Sequence, residues 1–248
     1  MPAPLSPAAT LDLWADAERR GPVERTLVLA AAGGDDGASL GELARLPLGR
    51  RDGRLLSLHG ALGGRTLEAT AACPACGEQA EFAVAAGALL ERVGEGAPPV
   101  PVEAGGFVVS WRPPDSADLA AAGETGDAAA AERVLLARCV LAATGPDGEV
   151  DGTDLPAGVR AAVAEAMAAA DPLAEVLVDV SCPDCGTVFV ADLDLGGFVW
   201  AELRAQAQRL LRDVAVLARA YGWNEPDVLA LDDVRRAAYL ELAREGVA

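Results

Sequence analysis

The sequence predicts an α+β protein that is mostly helical and has a small core built from two β-hairpins. The first observation is a Cys-Pro-x-Cys-Gly motif that occurs twice, at 73–77 and at 182–186. The second is that alternating apolar residues flank both copies, a pattern typical of strands. The third is an apolar content of 52%, much of it alanine, which favours helices elsewhere in the chain.

The similarity between the two motif copies extends beyond the cysteines. At a constant spacing of 109 residues, Leu67, Ala69, Ala71, Phe82, Val84 and Leu89 correspond to Val176, Val178, Val180, Ala191, Leu193 and Phe198. The alignment needs no gap. We therefore expect one structural unit that occurs twice, a strand followed by a tight turn with two cysteines and a second strand.

The cysteine spacing predicts a metal site. Two cysteines separated by two residues on a tight turn can bind one ion, and four thiolates from two such turns form the tetrahedral sulfur set that Zn²⁺ prefers. The glycine that ends each motif permits the positive φ that such a turn requires. A closed set of four thiolates leaves no position for a reacting water, so we expect a structural Zn²⁺ in a zinc-ribbon-like core. The spacing does not separate zinc from iron. The predicted ligands are Cys73, Cys76, Cys182 and Cys185.

Other uses of the cysteines are disfavoured. A redox Cys-x-x-Cys pair lies at a helix N-terminus, where the thiol pKa is lowered, whereas both motifs here run into strand-like sequence. A disulfide requires an oxidising compartment, and residues 1–20 contain no signal peptide, so we expect a cytoplasmic protein with reduced thiols. The fifth cysteine, Cys139, is predicted to be a small buried apolar residue.

Five segments are expected along the chain. They are an N-terminal helical region (1–66), a first cysteine hairpin (67–92), an inserted strand and helices (93–173), a second cysteine hairpin (174–196) and a C-terminal helical arm (197–248). Helices are predicted at 10–20, with Thr10 as the N-cap, and at 23–32, 50–62, 127–142, 157–169 and 198–221. The insertion begins with a Gly/Pro-rich linker, Gly94–Pro101, and contains a strand over 107–111. Asp115 and Asp118 then predict a capped helix start.

Composition limits the function. The net charge of −18 repels phosphate backbones, so nucleic-acid binding is disfavoured. No run of 18 uncharged apolar residues occurs, so no membrane span is expected. His59, the only histidine, shares a helical face with Leu55 and Leu62 and is predicted to be packed. No acid, base and nucleophile set converges in the sequence, so we expect a protein that is not an enzyme.

A heptad pattern marks the C-terminal arm. From Trp200 to Tyr221, apolar residues recur at alternating steps of three and four. Such a seam packs against another helix, either of the same chain or of another subunit, and the sequence leaves both open. Buried aromatic residues dominate binding energy at interfaces, so a partner or self-association surface is predicted on this arm. Its predicted residues are Trp200, Leu203, Leu210, Leu217, Tyr221 and Trp223.

Several stretches together resemble a known family. They are Gly21-Pro22-Val23-Glu24-Arg25, 46–51 (LPLGRR), Arg112-Pro113-Pro114 before Asp118-Leu119, 200–203 (WAEL), 217–225 (LARAYGWNE), Asp227-Val228-Leu229 and 235–240 (RRAAYL). Over most of the chain, this pattern resembles the baseplate hub assembly chaperone family of contractile phage tails, in the version carried by phage-tail-like contractile injection system clusters. The resemblance implies a non-enzymatic protein that helps to assemble the baseplate or hub, with baseplate or hub proteins as partners. The cysteine motifs lie outside the resemblance.

A second functional class stays open beside this one. A zinc-ribbon adaptor or regulatory protein, which binds another protein or nucleic acid, would also need a structural metal and no catalytic residues. Genes for a sheath, a tube and a baseplate next to this gene would favour the first class, and their absence would favour the second.

Overall fold

The computed structural model describes residues 4–93 and 99–245. Within these residues the chain is a mixture of helices and antiparallel strands, which confirms the α+β prediction at that level. Most of the predicted Gly/Pro-rich linker, Gly94–Pro101, lies outside the described residues.

Four helices precede the first hairpin. They are α1 (Pro7–Glu18), α2 (Pro22–Ala32), α3 (Leu40–Leu43) and α4 (Leu48–Ala61). The prediction that Thr10 caps the first helix is wrong. Ser6 is the N-cap, because its hydroxyl accepts a hydrogen bond from the Ala9 backbone N–H at 3.2 Å and Pro7 fits the first helical position.

The first cysteine hairpin and the insertion follow. The hairpin pairs β1 (Thr66–Ala72) with β2 (Gln79–Ala85) and runs into the short helix α5 (Ala86–Leu90). The insertion has a four-stranded antiparallel sheet in the order β3 (Val102–Ala104), β4 (Phe107–Trp111), β5 (Val140–Gly145) and β6 (Gly148–Glu149). Its helices are α6 (Ser116–Gly123), α7 (Ala128–Cys139) and α8 (Ala157–Ala170). The predicted strand over 107–111 and the capping box at Asp115 and Asp118 are confirmed.

The helix predicted over 127–142 is too long by three residues. α7 ends at Cys139, and the chain continues as β5, in which Ala143 pairs with Val109 of β4. The sequence favours a helix here by propensity. Pairing with β4 instead satisfies the backbone of this segment and buries Ala143, so the tertiary context overrides the local preference.

The second hairpin and the C-terminal arm complete the chain. β7 (Leu177–Ser181) pairs with β8 (Val188–Asp192), and α9 (Leu195–Tyr221), α10 (Glu225–Leu229) and α11 (Asp233–Arg244) follow. The two hairpins have the same strand pairing at a spacing of 109 residues, and α5 and α9 begin at equivalent positions, 86 and 195. The predicted repeat is therefore confirmed as a strand, turn, strand and helix unit, in which the helix stops early in the first copy and runs for 27 residues in the second.

Two main hydrophobic clusters organise these elements. The larger one joins the N-terminal helices, the bases of both hairpins and the first half of α9, and its buried residues include Leu29, Leu55, Leu67, Val176 and Leu203. The other belongs to the insertion and includes Val109, Trp111, Leu155, Val159 and Val163. The insertion thus has a core of its own, while both cysteine hairpins are anchored to one helical body.

The heptad seam lies inside the chain. Leu203 belongs to the larger cluster, Leu210 packs with Leu11, and Leu217 packs with Val228 and Leu240. The predicted partner surface is therefore wrong at Leu203, Leu210 and Leu217, because α1, α4 and the helices after α9 already cover these side chains.

The aromatic residues of the arm are in a different position. Trp200, Tyr221 and Trp223 are only half-buried, so their role as partner-binding residues stays a prediction. In the part of the chain that the structure describes, neither α9 nor any other helix is long and apolar enough to cross a membrane.

The close approach of α2 and α4 depends on Gly33. A Cβ at this position would overlap the carbonyl oxygen of Arg54, which belongs to the backbone of α4 and cannot rotate away. We expect Gly33→Ala to lower the free energy of unfolding by roughly 2 kcal/mol or more, the cost of forcing packed elements apart.

Gly60 provides the control. It lies within α4, and no atom is within 4 Å of the position that a Cβ would occupy. We expect Gly60→Ala to stabilise the protein by about 0.5 to 1 kcal/mol. Urea denaturation measures both, and a Gly33→Ala protein as stable as the wild type would contradict this helix contact.

Candidate metal centre

Each cysteine motif forms a tight turn that joins the two strands of its hairpin. In the first copy, the Cys73 N–H donates to the carbonyl of Glu78 and the Gly77 N–H donates to the carbonyl of Cys73, both at 2.8 Å. The second copy repeats these bonds between the residues 109 positions later, at 2.9 and 3.1 Å. The motif glycines have φ of 80° and 72°, as the turn requires. Both turns therefore present their sulfurs in the same way.

The two hairpins pack against each other through their inner faces. Ala80 of the first hairpin and Val180 and Ala191 of the second form a buried cluster, and Phe82 and Phe189 pack against it. Because residues alternate between the two faces of a strand, this packing leaves the other face of each hairpin pointing outward. The contact also brings the two cysteine turns together at one end.

The four predicted cysteines meet at that end. Their four Sγ atoms all lie within 4.8 Å of one another. The Sγ atoms of Cys73 and Cys185 are 3.7 Å apart, and those of Cys76 and Cys182 are 3.6 Å apart. A tetrahedral ion with Zn–S bonds of about 2.3 Å places its sulfurs about 3.8 Å apart. All four cysteines are free thiols. The arrangement is compatible with one metal ion bound by four sulfurs.

Burial differs between the two positions of each motif. Cys73 and Cys182 are buried between the hairpins, whereas Cys76 and Cys185 are exposed. The cluster therefore has a buried half and a half that faces solvent, through which an ion can enter. Cys139, the remaining cysteine, is buried in the insertion, as predicted, and is not part of the cluster.

The thiols are not electrostatically equivalent. The Thr187 hydroxyl, which is 3.2 Å from the Cys185 sulfur, and the Thr187 backbone N–H lower the pKa of Cys185 to about 6. The Glu78 N–H also lowers the pKa of Cys76, but hydrogen bonds to neighbouring sulfurs and desolvation outweigh it and raise that pKa to about 12. Metal ions bind thiolates, so binding of an ion would release the protons that these thiols hold. Sequence reasoning missed Thr187, and the only signal was that it stands where the first copy has Glu78.

A second group of charged residues, also missed, lies in the insertion. The Asp118 carboxylate is fully buried, accepts two hydrogen bonds from Arg112 at 2.6 and 3.0 Å, and accepts one from Arg138 at 2.7 Å. The Asp115 N–H and the Cys139 thiol also donate to it. Burial alone would raise the pKa of Asp118, but these bonds hold it well below its ordinary value. We interpret the cluster as structural, because every group in it is paired.

His59 is packed, as predicted. It is buried on α4, its Nδ1 is 2.6 Å from a carboxylate oxygen of Glu202 on α9, and its ring meets Phe198 edge to face. It lies outside the cysteine cluster and joins two helices of the main core.

Comparison with known proteins adds no relative to this description. No family model, no curated protein and no solved structure matches the chain.

Proposed function

We propose that this protein is a non-enzymatic assembly chaperone or structural component for the baseplate or hub of a contractile, phage-tail-like injection particle, and that a structural Zn²⁺ stabilises it. The proposed metal is supported by the convergence of four sulfurs, all within 4.8 Å of one another, from two copies of one turn. The ion holds together segments 109 residues apart in sequence, and all four ligands come from the protein, so its role is structural. The thiols must stay reduced to bind it, which fits assembly in the cytoplasm.

The particle role is supported by the sequence resemblance and by contacts among the stretches that carry it. The Arg25 guanidinium lies 4.5 Å from the ring centroid of Trp200, which joins the stretch at 21–25 to the one at 200–203. The Leu48 N–H donates to the Pro114 carbonyl at 3.3 Å, which joins the stretches at 46–51 and 112–114. Four of the stretches that carry the resemblance are therefore in contact with one another in pairs.

Surface charge separates this role from the alternative of a nucleic-acid-binding adaptor. The two hairpin segments, 67–92 and 174–196, contain nine Asp and Glu residues and one Arg. Such a surface repels phosphates, whereas zinc ribbons that bind nucleic acid depend on cationic contacts. This distribution favours a protein partner.

The test is co-purification from the native gene cluster with a tagged chain. We expect baseplate or hub proteins to be recovered, and we expect deletion of the gene to yield particles without a complete baseplate in electron micrographs. Recovery of regulatory proteins, together with normal particles in the deletion strain, would support the adaptor and overturn the assembly role.

Trp223 provides a test of the arm as the partner surface. Its ring stacks on Tyr221 with centroids 4.9 Å apart and meets Tyr239 edge to face, while part of it stays accessible. We expect Trp223→Ala to weaken partner recovery at least about tenfold, the effect of losing one aromatic interface residue. Zinc content should not change, because Trp223 packs in the cluster around Leu217 and Leu240, which contains no residue of either cysteine hairpin. Val234→Ala, at an 80% exposed position of α11, is the control and should bind normally. Undiminished recovery with Trp223→Ala would place the interface elsewhere.

A further inference from the structure

The two copies of the hairpin differ on their outer faces. At equivalent positions the first copy has Glu68, Gln79 and Glu81, and the second has Leu177, Val188 and Val190. All six belong to the strand face that points away from the neighbouring hairpin. The three apolar side chains are 51%, 66% and 57% exposed. The same structural unit thus presents a polar face in one copy and an apolar face in the other.

The apolar residues form one patch. Val188 and Val190 are two positions apart on β8, so they are neighbours on one face, and Leu177 of β7 lies diagonally opposite Val190. Asp192 pairs with Leu177 and Asp179 pairs with Val190, so two carboxylates lie within the same face. We call this set of five residues the outer patch.

Folding of the hairpin does not require the outer patch to be apolar. The first copy builds the same strand pairing and the same cysteine turn with Glu and Gln at these positions. Exposed Val and Leu side chains in contact with water contribute nothing to the core and increase the risk of aggregation. A partner that covers them accounts for their presence.

Charge identifies the chemistry of that partner. Segment 174–196 contains five acidic residues and no Arg, Lys or His. A second copy of this chain would place Asp179 and Asp192 against like charges, which is unfavourable across a strand interface. A segment with apolar residues flanked by Arg or Lys is complementary to both features of the patch. Each hairpin is a two-stranded sheet in the described part of the chain, so its free edges can also pair with an extended strand.

We infer that the outer patch is the docking surface for an extended, apolar and cationic segment of another protein. The inference adds to the proposed assembly role the chemistry of one partner segment. It rests on that role only for the identity of the partner as a baseplate or hub protein. The apolar side chains provide the affinity, and the two aspartates favour a cationic partner over an acidic one.

The test replaces the three apolar residues of the outer patch with the residues that the first hairpin has at the same positions. The variant Leu177→Glu/Val188→Gln/Val190→Glu uses residues that the same unit already tolerates, and zinc content verifies that it folds. The probe is a short fluorescent peptide of alternating valine and arginine, with an alternating valine and glutamate peptide as its control, measured by anisotropy at physiological salt. We expect the wild type to bind the cationic peptide and not the acidic one, and the variant to bind the cationic peptide at least about tenfold more weakly, since about three apolar contacts are lost.

This exchange separates apolar docking from general attraction between opposite charges. The variant carries two more negative charges than the wild type, so charge alone would tighten its binding of the cationic peptide. Equal or tighter binding by the variant would therefore overturn the inference. The reciprocal variant, Glu68→Leu/Thr70→Asp/Gln79→Val/Glu81→Val/Ala83→Asp, carries all five residues of the outer patch and should create a second binding site on the first hairpin.

Analytical ultracentrifugation tests whether a second copy of this chain covers the outer patch. A wild-type dimer that the second-hairpin variant converts to a monomer would show that another copy covers the patch, and it would also overturn the inference. Peptide binding tests the outer patch, and co-purification tests the assembly role. Either proposal can therefore be contradicted without the other.

Discussion

Cys182→Ser is expected to purify without stoichiometric zinc and to lose much of its stability. The serine hydroxyl is not a thiolate, and three sulfurs leave the tetrahedral set incomplete. In the proposed site one ion would link Cys73 and Cys76 to Cys182 and Cys185 across 109 residues, and closing a loop of that length costs on the order of 4 kcal/mol of chain entropy. A bound ion offsets that cost, so we expect the variant to lose at least about 4 kcal/mol of unfolding free energy.

Elemental analysis and urea denaturation measure the two effects. The wild type should contain about one zinc per chain, and a chelator should lower its stability while leaving that of Cys182→Ser unchanged. Cys139→Ala is the matched control, because Cys139 is buried in the insertion and should leave zinc content at its wild-type value. A wild-type protein without metal, or with two ions per chain, would contradict the proposed site. Iron in place of zinc would keep the ligands and correct the identity of the ion.

The cysteine cluster could be predicted from the sequence because each half of it is encoded by one short motif, and that motif occurs twice. A Cys-Pro-x-Cys-Gly motif specifies a turn by itself, and its second copy identifies the other half of the ligand set without any knowledge of the chain between them. The same repeat predicted both hairpins. The start of the first helix was predicted less well, because Thr10 is also an acceptable cap, although Pro7 at the first helical position favours Ser6.

The parts that could not be predicted depend on contacts between distant residues. The segment after Cys139 has helical propensity, and only its pairing with β4, about 30 residues earlier, makes it a strand. A heptad pattern likewise shows which face of α9 is apolar but not which element covers it. The structure covers it with the chain's own helices. Arg112 and Arg138 are 26 residues apart, and no local pattern predicts that both reach Asp118.

Asp118→Asn is expected to destabilise the protein by roughly 3 kcal/mol at neutral pH, because it leaves Arg112 and Arg138 without their shared carboxylate. The asparagine keeps the size of the side chain and one oxygen that can accept from the Asp115 N–H, so the helix cap is largely retained. Its NH2 group cannot accept from Arg112 Nη2 and Arg138 Nε, so the loss falls on the bonds to the two arginines. Asp147→Asn, at an exposed loop position, is the control and should change stability by less than about 0.5 kcal/mol.

The pH dependence gives this prediction a second measurement. The folded pKa of Asp118 is lowered, so its stabilising contribution is present above its ordinary pKa of about 4 and is lost as pH falls below that value. Burial raises the pKa of Asp52 and Asp171, so protonation of these two groups at low pH increases the stability of the folded state, which is the opposite of the effect at Asp118. Urea denaturation at neutral pH and at about pH 3 should therefore show the wild type losing more stability to acid than Asp118→Asn does. Equal acid sensitivity in both proteins, together with a small loss at neutral pH, would mean that the two arginines contribute little through Asp118 and that the insertion is stabilised by its apolar core alone.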